Sequence, residues 1–288
     1  GGLDTSYCLK YLKNEKGYEV HTVLINTGGF DDEELQAIEE RAYELGSAQH
    51  ANLTILDKYY DKAIKYLIYG NVLKNNTYPL SVSAERVFQA IEAIKYAKSV
   101  GASAIAHGST GAGNDQIRFD LIFQTIAPEI EIITPIRDLK LSRQEEVDYL
   151  AKNGVHYSWE KAQYSINKGL WGTSVGGKET LTSHEALPSE AYPSQLQKQG
   201  EEKVTLEFHE GQLVAVNGKK DTPPNNIVIL EKLANAYAIG RDIHVGDTII
   251  GIKGRVGFEA AAPLIIIKAH HLLEKHTLGK WQQYWKEQ

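Results

Sequence analysis

The chain opens with Gly1-Gly2-Leu3-Asp4-Thr5-Ser6, which runs directly into the apolar-periodic segment Tyr7-Cys8-Leu9-Lys10-Tyr11-Leu12. Two glycines let a backbone approach a ligand closely, and a short acid and two hydroxyls follow where a helix would begin. A helix N-terminus presents unpaired N–H groups and the positive end of the helix dipole, which suit a phosphate. The stretch therefore predicts a phosphate-binding loop. The alternative is a glycine turn capped by Asp4 or Ser6 before an ordinary helix.

This loop lacks the lysine after a second glycine that a Walker A loop requires. It resembles instead the pyrophosphate-binding loop of the N-type ATP pyrophosphatases, usually Ser-Gly-Gly-x-Asp-Thr-Ser, in enzymes that cleave ATP to AMP and pyrophosphate. The leading serine of that pattern would precede Gly1, and we expect a strand ahead of it.

Length and composition are those of a globular protein with a substantial core. The 288 residues are 42% hydrophobic and 24% charged, enough for one large or two ordinary domains. A net charge of −6 argues against a broad basic surface for nucleic acid. No apolar run approaches the roughly 20 residues of a membrane span, and we see no signal peptide. The single cysteine, Cys8, excludes an intrachain disulfide and favours a reducing cytoplasm. We interpret it as a small semi-buried residue rather than a nucleophile.

Strands and helices alternate through residues 1–153. Strand candidates are 18–26, 50–56, 102–107 and 129–135, and helix candidates are 7–16, 31–45, 59–69, 83–100 and 142–151. This order predicts βαβ units and an α/β nucleotide-binding domain with a doubly wound, mainly parallel sheet. Ligands of such sheets bind at the carboxyl ends of the strands, where the polar loops after Asn26 and His107 lie.

The pattern changes after about residue 153. Residues 174–202 predict a long surface connection, 203–208 and 212–216 a hairpin, 224–237 a helix, and 248–253 and 256–259 short strands. We therefore predict a second, α+β domain over 154–262, followed by a C-terminal helix over 263–288 that Gly279 interrupts.

A glycine-rich stretch follows the third strand candidate: His107-Gly108-Ser109-Thr110-Gly111-Ala112-Gly113-Asn114-Asp115-Gln116-Ile117-Arg118-Phe119. Three glycines within six positions bring the backbone close to a ligand. Asn114 and Asp115 can hold an amino or ureido group, and Arg118 can bind a carboxylate through two hydrogen bonds.

Two further stretches carry polar side chains at loops. In Tyr78-Pro79-Leu80-Ser81-Val82-Ser83-Ala84-Glu85-Arg86, Ser83 is a natural helix N-cap, and plain capping is as good an explanation as ligand contact. In Tyr164-Ser165-Ile166-Asn167-Lys168-Gly169-Leu170-Trp171-Gly172-Thr173-Ser174, two serines lie nine residues apart, and we predict a loop near the domain junction.

Together, and in this order, the four stretches resemble the argininosuccinate synthase family. GGLDTS, YPLSVSAER, HGSTGxGNDQxRF and YSINxxLWGxS recur there, and the resemblance covers nearly the whole chain. It implies a carbon–nitrogen ligase of arginine biosynthesis that joins citrulline to aspartate with ATP and Mg²⁺ through a citrulline-adenylate, releasing AMP and pyrophosphate. It also implies a synthetase role for the second domain, and a cytoplasmic homotetramer whose assembly arm starts at the C-terminal helix, with no nucleic-acid or membrane partner.

Site residues follow from the resemblance by position. Those expected to bind ATP are Gly1, Gly2, Asp4, Thr5, Ser6 and Gly108, with Asp4 and Ser6 as the central pyrophosphate-loop residues. Those expected to hold aspartate are Thr110, Asn114 and Asp115. Those expected to hold citrulline are Tyr78, Ser83, Asn114, Arg118, Ser165 and Ser174. No covalent nucleophile is expected, and the magnesium ligands stay unassigned.

Four positions depart from the family pattern. Ala112 stands where a lysine is usual, and Thr27-Gly28-Gly29-Phe30 replaces the commoner Ile-Gly-Gln turn on the adenine side. Gly246 and Phe258 stand where the family has a glutamate and a tyrosine that contact citrulline. Either another residue, such as Asp247, binds the citrulline amino group, or the chain is a divergent member.

Two other functions compete with the ligase. Another pyrophosphatase-loop enzyme, such as a tRNA thiolase, would need a catalytic cysteine pair and a basic RNA-facing surface. A nucleotide-binding module without ligase activity finds support in the departures at Gly246 and Phe258. Citrulline-dependent ATP–pyrophosphate exchange would exclude that module.

Overall fold

A computed structural model describes residues 2–111, 113–157 and 164–288. The chain forms two compact units of interleaved sequence. Unit 1 comprises Gly1–Ile55, Glu85–Gln163 and Asp247–Ile252, and unit 2 comprises Leu56–Ala84, Tyr164–Gly246 and Lys253–Gln288. This division differs from the contiguous domains predicted over 1–153, 154–262 and 263–288. Leu56–Ala84 lies within the predicted first domain but belongs to unit 2, and Asp247–Ile252 lies within the predicted second domain but belongs to unit 1. The C-terminal helices belong to unit 2.

Unit 1 alternates helices with short strands. In chain order it holds α1 (Leu3–Asn14), β1 (His21–Asn26), α2 (Asp32–Glu44), β2 (Gln49–Thr54), most of α5 (Ser81–Ser99), β3 (Ala104–Ala106), α6 (Asp115–Ile126), β4 (Glu131–Ile133), α7 (Pro135–Leu139) and α8 (Arg143–Lys152). Caps mark two helix starts. Asp31 and Glu34 form a capping box before α2, and Ser142 and Glu145 form another before α8.

The strands of unit 1 pair in parallel, which confirms the predicted fold class. β1 pairs with β2, from His21 opposite Gln49 to Asn26 opposite Thr54, and β3 pairs with β4. Among the described residues these pairs form two separate two-stranded sheets rather than one. Residues 20–24 and 102–106 both line a cavity of about 560 Å³, so β1 and β3 border the same space. The strand predicted ahead of Gly1 stays a prediction.

Apolar side chains pack the helices of unit 1 around these sheets. Ala90 and Ile94 of α5 and Phe123 of α6 form one buried cluster. Helix α1 packs against α8 through Tyr7 and Tyr149, whose ring centroids lie 4.9 Å apart. These contacts join α5 to α6 and α1 to α8.

Unit 2 is α+β, as predicted. In chain order it holds α3 (Leu56–Tyr59), a π-helical turn (Tyr60–Ile64), α4 (Lys65–Tyr69), β5 (Ser165–Gly169), β6 (Gly172–Gly176), β7 (Leu206–His209), β8 (Gln212–Val216), β9 (Lys219–Lys220), α9 (Pro223–Asn235), β10 (Arg241–Asp247), β11 (Lys253–Glu259), α10 (Ala261–Thr277) and α11 (Lys280–Glu287). The predicted β7–β8 hairpin is confirmed. The predicted interruption of the C-terminal helix at Gly279 is also confirmed, because α10 ends at Thr277 and α11 begins after Gly279.

Two local predictions in this half of the chain are wrong. Residues 248–252 form a turn rather than a strand, because Thr248 N–H donates to the Ile252 carbonyl and Gly251 has a φ of +84°. Residues 165–174 form the β5–β6 hairpin rather than a loop, and the sheet order is β10-β11-β6-β5. Serine, asparagine and glycine have low strand propensity, so pairing with β11 decides this segment.

Within residues 2–111, 113–157 and 164–288, no helix is both long enough and apolar enough to cross a membrane.

Candidate active site

The phosphate loop predicted at the N-terminus is the first turn of α1. Gly2 precedes the helix in extended conformation, and no side chain caps the helix. The hydroxyls of Thr5 and Ser6 instead donate to the Gly2 carbonyl, at 3.1 and 2.8 Å. Gly2, as the N-cap residue, provides no side-chain acceptor for the first backbone N–H groups of α1, and such a helix start suits a phosphate. Gly1 lies outside the described residues.

Gly108 touches this turn from the end of β3. A Cβ at residue 108 would lie 2.8 Å from Asp4 Cβ and 3.2 Å from the Asp4 carbonyl carbon. Any larger residue would push the loop and the helix apart. The structure thus brings together Asp4 and Gly108, two residues predicted to bind ATP.

Side chains of α6 and α7 hold the glycine-rich loop in place. His107 Nε2 lies 2.8 Å from Asp120, and His107 Nδ1 accepts from the Ser109 N–H at 3.2 Å. Arg137 donates to Asp120 at 2.7 Å. Burial lowers the pKa of His107, while Asp120 opposes that shift. Burial also opposes ionisation of Asp120, but the hydrogen bonds from His107 and Arg137 outweigh it and lower the pKa of that carboxyl group. The loop is therefore anchored by a neutral histidine and an ionised aspartate.

A charged chain of contacts links the loops after β1 and β3. Asp115 accepts from Arg86 Nε at 3.1 Å and from Arg118 Nη1 at 2.8 Å. Glu85 is fully buried beside Arg86 and accepts hydrogen bonds from Thr27 and from Gln89. Burial raises the pKa of Glu85 to about 7, and Arg86 opposes the shift.

Sequence reasoning gave no role to Glu85 or Arg86. The sequence carries no local signal for this contact, because Arg86 and Asp115 lie 29 residues apart along the chain and meet only in the fold. Because Arg118 donates to Asp115 here, binding a substrate carboxylate would require Arg118 to share or exchange that partner.

The remaining predicted residues of unit 1 surround the start of α6. Asn114 precedes the helix, and its Oδ1 accepts from the Ile249 N–H at 2.7 Å. Thr110 is exposed at the loop surface. Ala112, where the family has a lysine, lies outside the described residues.

In unit 2, the two predicted serines lie on one face of the four-stranded sheet. Ser174 on β6 is directly opposite Asn167 on β5 and Phe258 on β11, and Ser165 is opposite Gly176. Residues directly opposite share a face, as do residues two apart along a strand. Ser165, Ser174 and Phe258 therefore point to the same side.

Tyr78 packs onto this group of residues as part of the core. Only 4% of its surface is exposed, and its ring centroid lies 5.3 Å from that of Phe258. Its hydroxyl accepts from the Val82 N–H at 3.1 Å, at the start of α5. A citrulline contact through this hydroxyl stays a prediction, and here the hydroxyl already binds the backbone.

Helix α5 corrects the interpretation of Ser83 as an N-cap. The helix starts at Ser81, two residues earlier, after Leu80 with a φ of +60°. Ser83 therefore lies inside the first turn and cannot be its N-cap. The Tyr78 hydroxyl supplies the acceptor that a capping side chain would have provided.

The departure at Gly246 has a steric explanation. A Cβ at residue 246 would lie 2.6 Å from His244 Nε2. The His244 ring stacks on Tyr78, with centroids 4.9 Å apart and planes at 22°. Burial, and then the charge of Lys74, lowers the pKa of His244. A neutral imidazole therefore occupies the space next to Gly246 where a side chain would begin.

Cys8 is an inert thiol. It is buried on α1, and burial, followed by the charges of Asp4 and Glu146, raises its pKa to about 12. This confirms the interpretation of Cys8 as a structural residue, since the thiolate is the reactive form. In the part of the chain that the structure describes, no group of three or more His, Cys, Asp and Glu side chains is arranged to hold a metal ion.

Two family models together match almost the entire sequence. The arginosuccinate synthase N-terminal HUP domain matches residues 1–156, and the arginosuccinate synthase C-terminal domain matches residues 164–288. The chain belongs to the argininosuccinate synthase family. The match confirms the family predicted from the four stretches, together with its ligase class.

Individual members of the argininosuccinate synthase family are similar along the whole chain. The argininosuccinate synthase of Methanocaldococcus jannaschii is 37% identical over 290 residues, which cover 100% of this chain and 73% of that protein. That of Xylella fastidiosa is 38% identical over 299 residues, covering 99% and 72%. That of Pyrococcus furiosus is 38% identical over 285 residues, covering 98% and 68%.

Proposed function

We propose that this protein joins citrulline to aspartate at the expense of ATP, releasing argininosuccinate, AMP and pyrophosphate. The observation that carries the proposal is the uncapped first turn of α1 in contact with Gly108, in a chain whose relatives are argininosuccinate synthases. The chain would thus act as a ligase of arginine biosynthesis.

The reaction needs two displacements. The ureido oxygen of citrulline attacks the α-phosphorus of ATP, and pyrophosphate leaves. The amine of aspartate then attacks the activated carbon, AMP leaves, and the amine proton passes to solvent. Neither step needs an enzyme nucleophile, which agrees with the inert thiol of Cys8.

Binding residues would supply most of the rate by orienting three substrates. The N–H groups at the start of α1 would stabilise the negative charge of the departing pyrophosphate, with Asp4, Thr5 and Ser6 shaping the turn. Thr110, Asn114 and Asp115 would hold aspartate. The group that would hold citrulline comprises Tyr78, Ser83, Asn114, Arg118, Ser165 and Ser174.

Magnesium would enter with the nucleotide. Mg²⁺ is commonly bound by substrate phosphates, water and only one or two carboxylates, so the missing three-residue cluster among the described residues is compatible with it. Bound there, it would neutralise charge on pyrophosphate. No residue is assigned as its ligand.

We also propose a cytoplasmic homotetramer. Helix α11 supports assembly because Trp281, Tyr284 and Trp285 on it are 50–71% exposed. Sedimentation velocity tests this proposal, and a monomer at micromolar concentration would contradict it.

An assay of pyrophosphate release with ATP, citrulline and aspartate, each omitted in turn, tests the function. We expect ATP–pyrophosphate exchange with citrulline alone, and net argininosuccinate only with all three substrates. Nucleotide binding without citrulline dependence would favour the non-catalytic module. Transfer of sulfur to tRNA would favour the thiolase.

A further inference from the structure

Glu146 is a buried carboxyl group that the proposed reaction does not use. It lies on α8 with 3% of its surface exposed. The titratable and charged groups that face it are Asp4, Tyr7 and Cys8 on α1, and Arg143 on its own helix. Ile136 of α7 packs with Tyr7 and Cys8 in one buried apolar cluster. Glu146 is thus enclosed directly behind the predicted phosphate loop.

The hydrogen bonds around Glu146 are incomplete unless a proton is added. Its Oε2 atom is buried and receives no hydrogen bond. The side chain of Asp4 lies within hydrogen-bonding reach of the Glu146 carboxyl group. Two ionised carboxylates are both acceptors and cannot bond to each other, whereas a protonated carboxyl group donates one O–H. A single proton on Glu146 therefore allows its carboxyl group to donate a hydrogen bond and the Asp4 carboxylate to accept it.

We propose that Glu146 is a positioning residue, whose protonated carboxyl group donates a hydrogen bond to Asp4 and fixes the first turn of α1 for ATP. The inference deepens the proposed function, because that function assigns Asp4 to the ATP site. Glu146 itself touches no substrate in this arrangement and acts through Asp4.

The electrostatics of the pair agree with a shared proton. Burial, and then the negative charge of Asp4, raises the pKa of Glu146 to about 8, and Arg143 opposes the shift. Glu146 is therefore protonated at neutral pH. Above pH 8 it loses the proton, and the buried carboxylate of Glu146 then repels the carboxylate of Asp4 at the start of α1. Burial raises the pKa of Tyr7 and of Cys8 to about 12, so neither group titrates between pH 6 and pH 10.

The test compares Glu146→Gln with Glu146→Leu between pH 6 and pH 10. The glutamine amide can still donate to Asp4 but cannot ionise, and leucine can do neither. Two readouts are measured, namely ATP affinity by calorimetry and kcat/KM for ATP in citrulline-dependent pyrophosphate release. The matched control is Asp148→Asn, which alters an exposed carboxylate on the same helix.

We expect the wild-type ATP affinity to fall about 30-fold between pH 7 and pH 9.5, because the protonated fraction of a group with a pKa of about 8 falls by about that factor over this range. Glu146→Gln should keep the neutral-pH affinity and lose the alkaline decline. Glu146→Leu should bind ATP several-fold more weakly at every pH, with no decline. Asp148→Asn should follow the wild type.

Two results would overturn the proposal: an unchanged alkaline decline in Glu146→Gln, or wild-type ATP affinity in Glu146→Leu. In an Asp4→Asn background, Glu146→Leu should add no further loss, and an additive loss would also contradict action through Asp4. A protein that shows the Glu146-dependent decline in ATP affinity but never turns over citrulline would refute the ligase and leave this inference standing.

Discussion

The two units hold their predicted site residues by different means. In unit 1 they lie at helix starts and loops, and charged hydrogen bonds orient them, as Arg86 and Arg118 do for Asp115. In unit 2, Ser165 and Ser174 lie on strands, and aromatic packing orients Tyr78, as its contacts with His244 and Phe258 show. Charged networks permit small local adjustments when a ligand arrives, whereas close packing fixes a shape in advance. Substitutions should therefore affect binding in unit 1 and stability in unit 2.

The largest effect is expected from Asp4→Ala in unit 1. The substitution removes the carboxylate at the predicted phosphate turn. It also removes the group that would accept the hydrogen bond from Glu146. We expect pyrophosphate release to fall at least about 1,000-fold, which is the upper end for loss of one electrostatic group. Circular dichroism should show an intact fold. Turnover near the wild-type rate would remove Asp4 from the mechanism.

A smaller loss should follow Gly108→Ala. Its Cβ would meet Asp4 Cβ at 2.8 Å, so the loop or α1 must shift. We expect kcat/KM for ATP to fall about 100-fold, since ångström-scale misplacement costs about this much. Gly113→Ala is the control, because a Cβ there meets nothing within 4 Å. Equal losses in both variants would show that loop flexibility matters, rather than the contact with Asp4.

Arg118→Leu should weaken the binding of citrulline far more than the binding of ATP. We expect KM for citrulline to rise about 10- to 150-fold while KM for ATP changes little, because a charge-assisted hydrogen bond contributes about 1.5–3 kcal/mol. The measurement is initial rates with one substrate varied at a time. Equal changes in both KM values would instead indicate that Arg118 acts mainly through Asp115.

The smallest effect is expected in unit 2, from Gly246→Ala. The added Cβ would lie 2.6 Å from His244 Nε2 and displace a ring stacked on Tyr78. We expect a loss of about 1 kcal/mol in the free energy of unfolding, the low end for overpacking, measured by urea denaturation. Combined with His244→Ala, the change should be less than additive. Strict additivity would mean that the two residues do not interact.

Local chemistry made much of unit 1 predictable. The starts of α2 and α8 follow from signals within a few residues, and the alternation of strands with helices predicts the parallel pairing that β1 and β2 show. The glycine at position 108 was predictable as a close approach, but its partner, Asp4, was not. A contact between residues about 100 positions apart leaves no trace in local periodicity.

The failures lie where tertiary contacts decide the backbone. Residues 165–174 were predicted as a loop because small polar residues hide the alternation of a strand, and pairing of β6 with β11 makes them a hairpin. Capping explained Ser83 as well as ligand contact did, but α5 starts at Ser81, so Ser83 is not its N-cap, and the Tyr78 hydroxyl accepts from the Val82 N–H instead. The departure at Gly246 became intelligible only when His244 was found beside it.

The sequence by itself determined the family and the α/β class of unit 1, and it predicted a phosphate turn, because short motifs with defined backbone chemistry encode these features. Tertiary structure alone decided three things: the interleaving of the two units, the chain of contacts from Glu85 to Arg118, and the burial of Glu146 behind Asp4. Each depends on which distant surfaces meet. Burial and charge proximity, which set the protonation of a carboxyl group, exist only once the chain is folded.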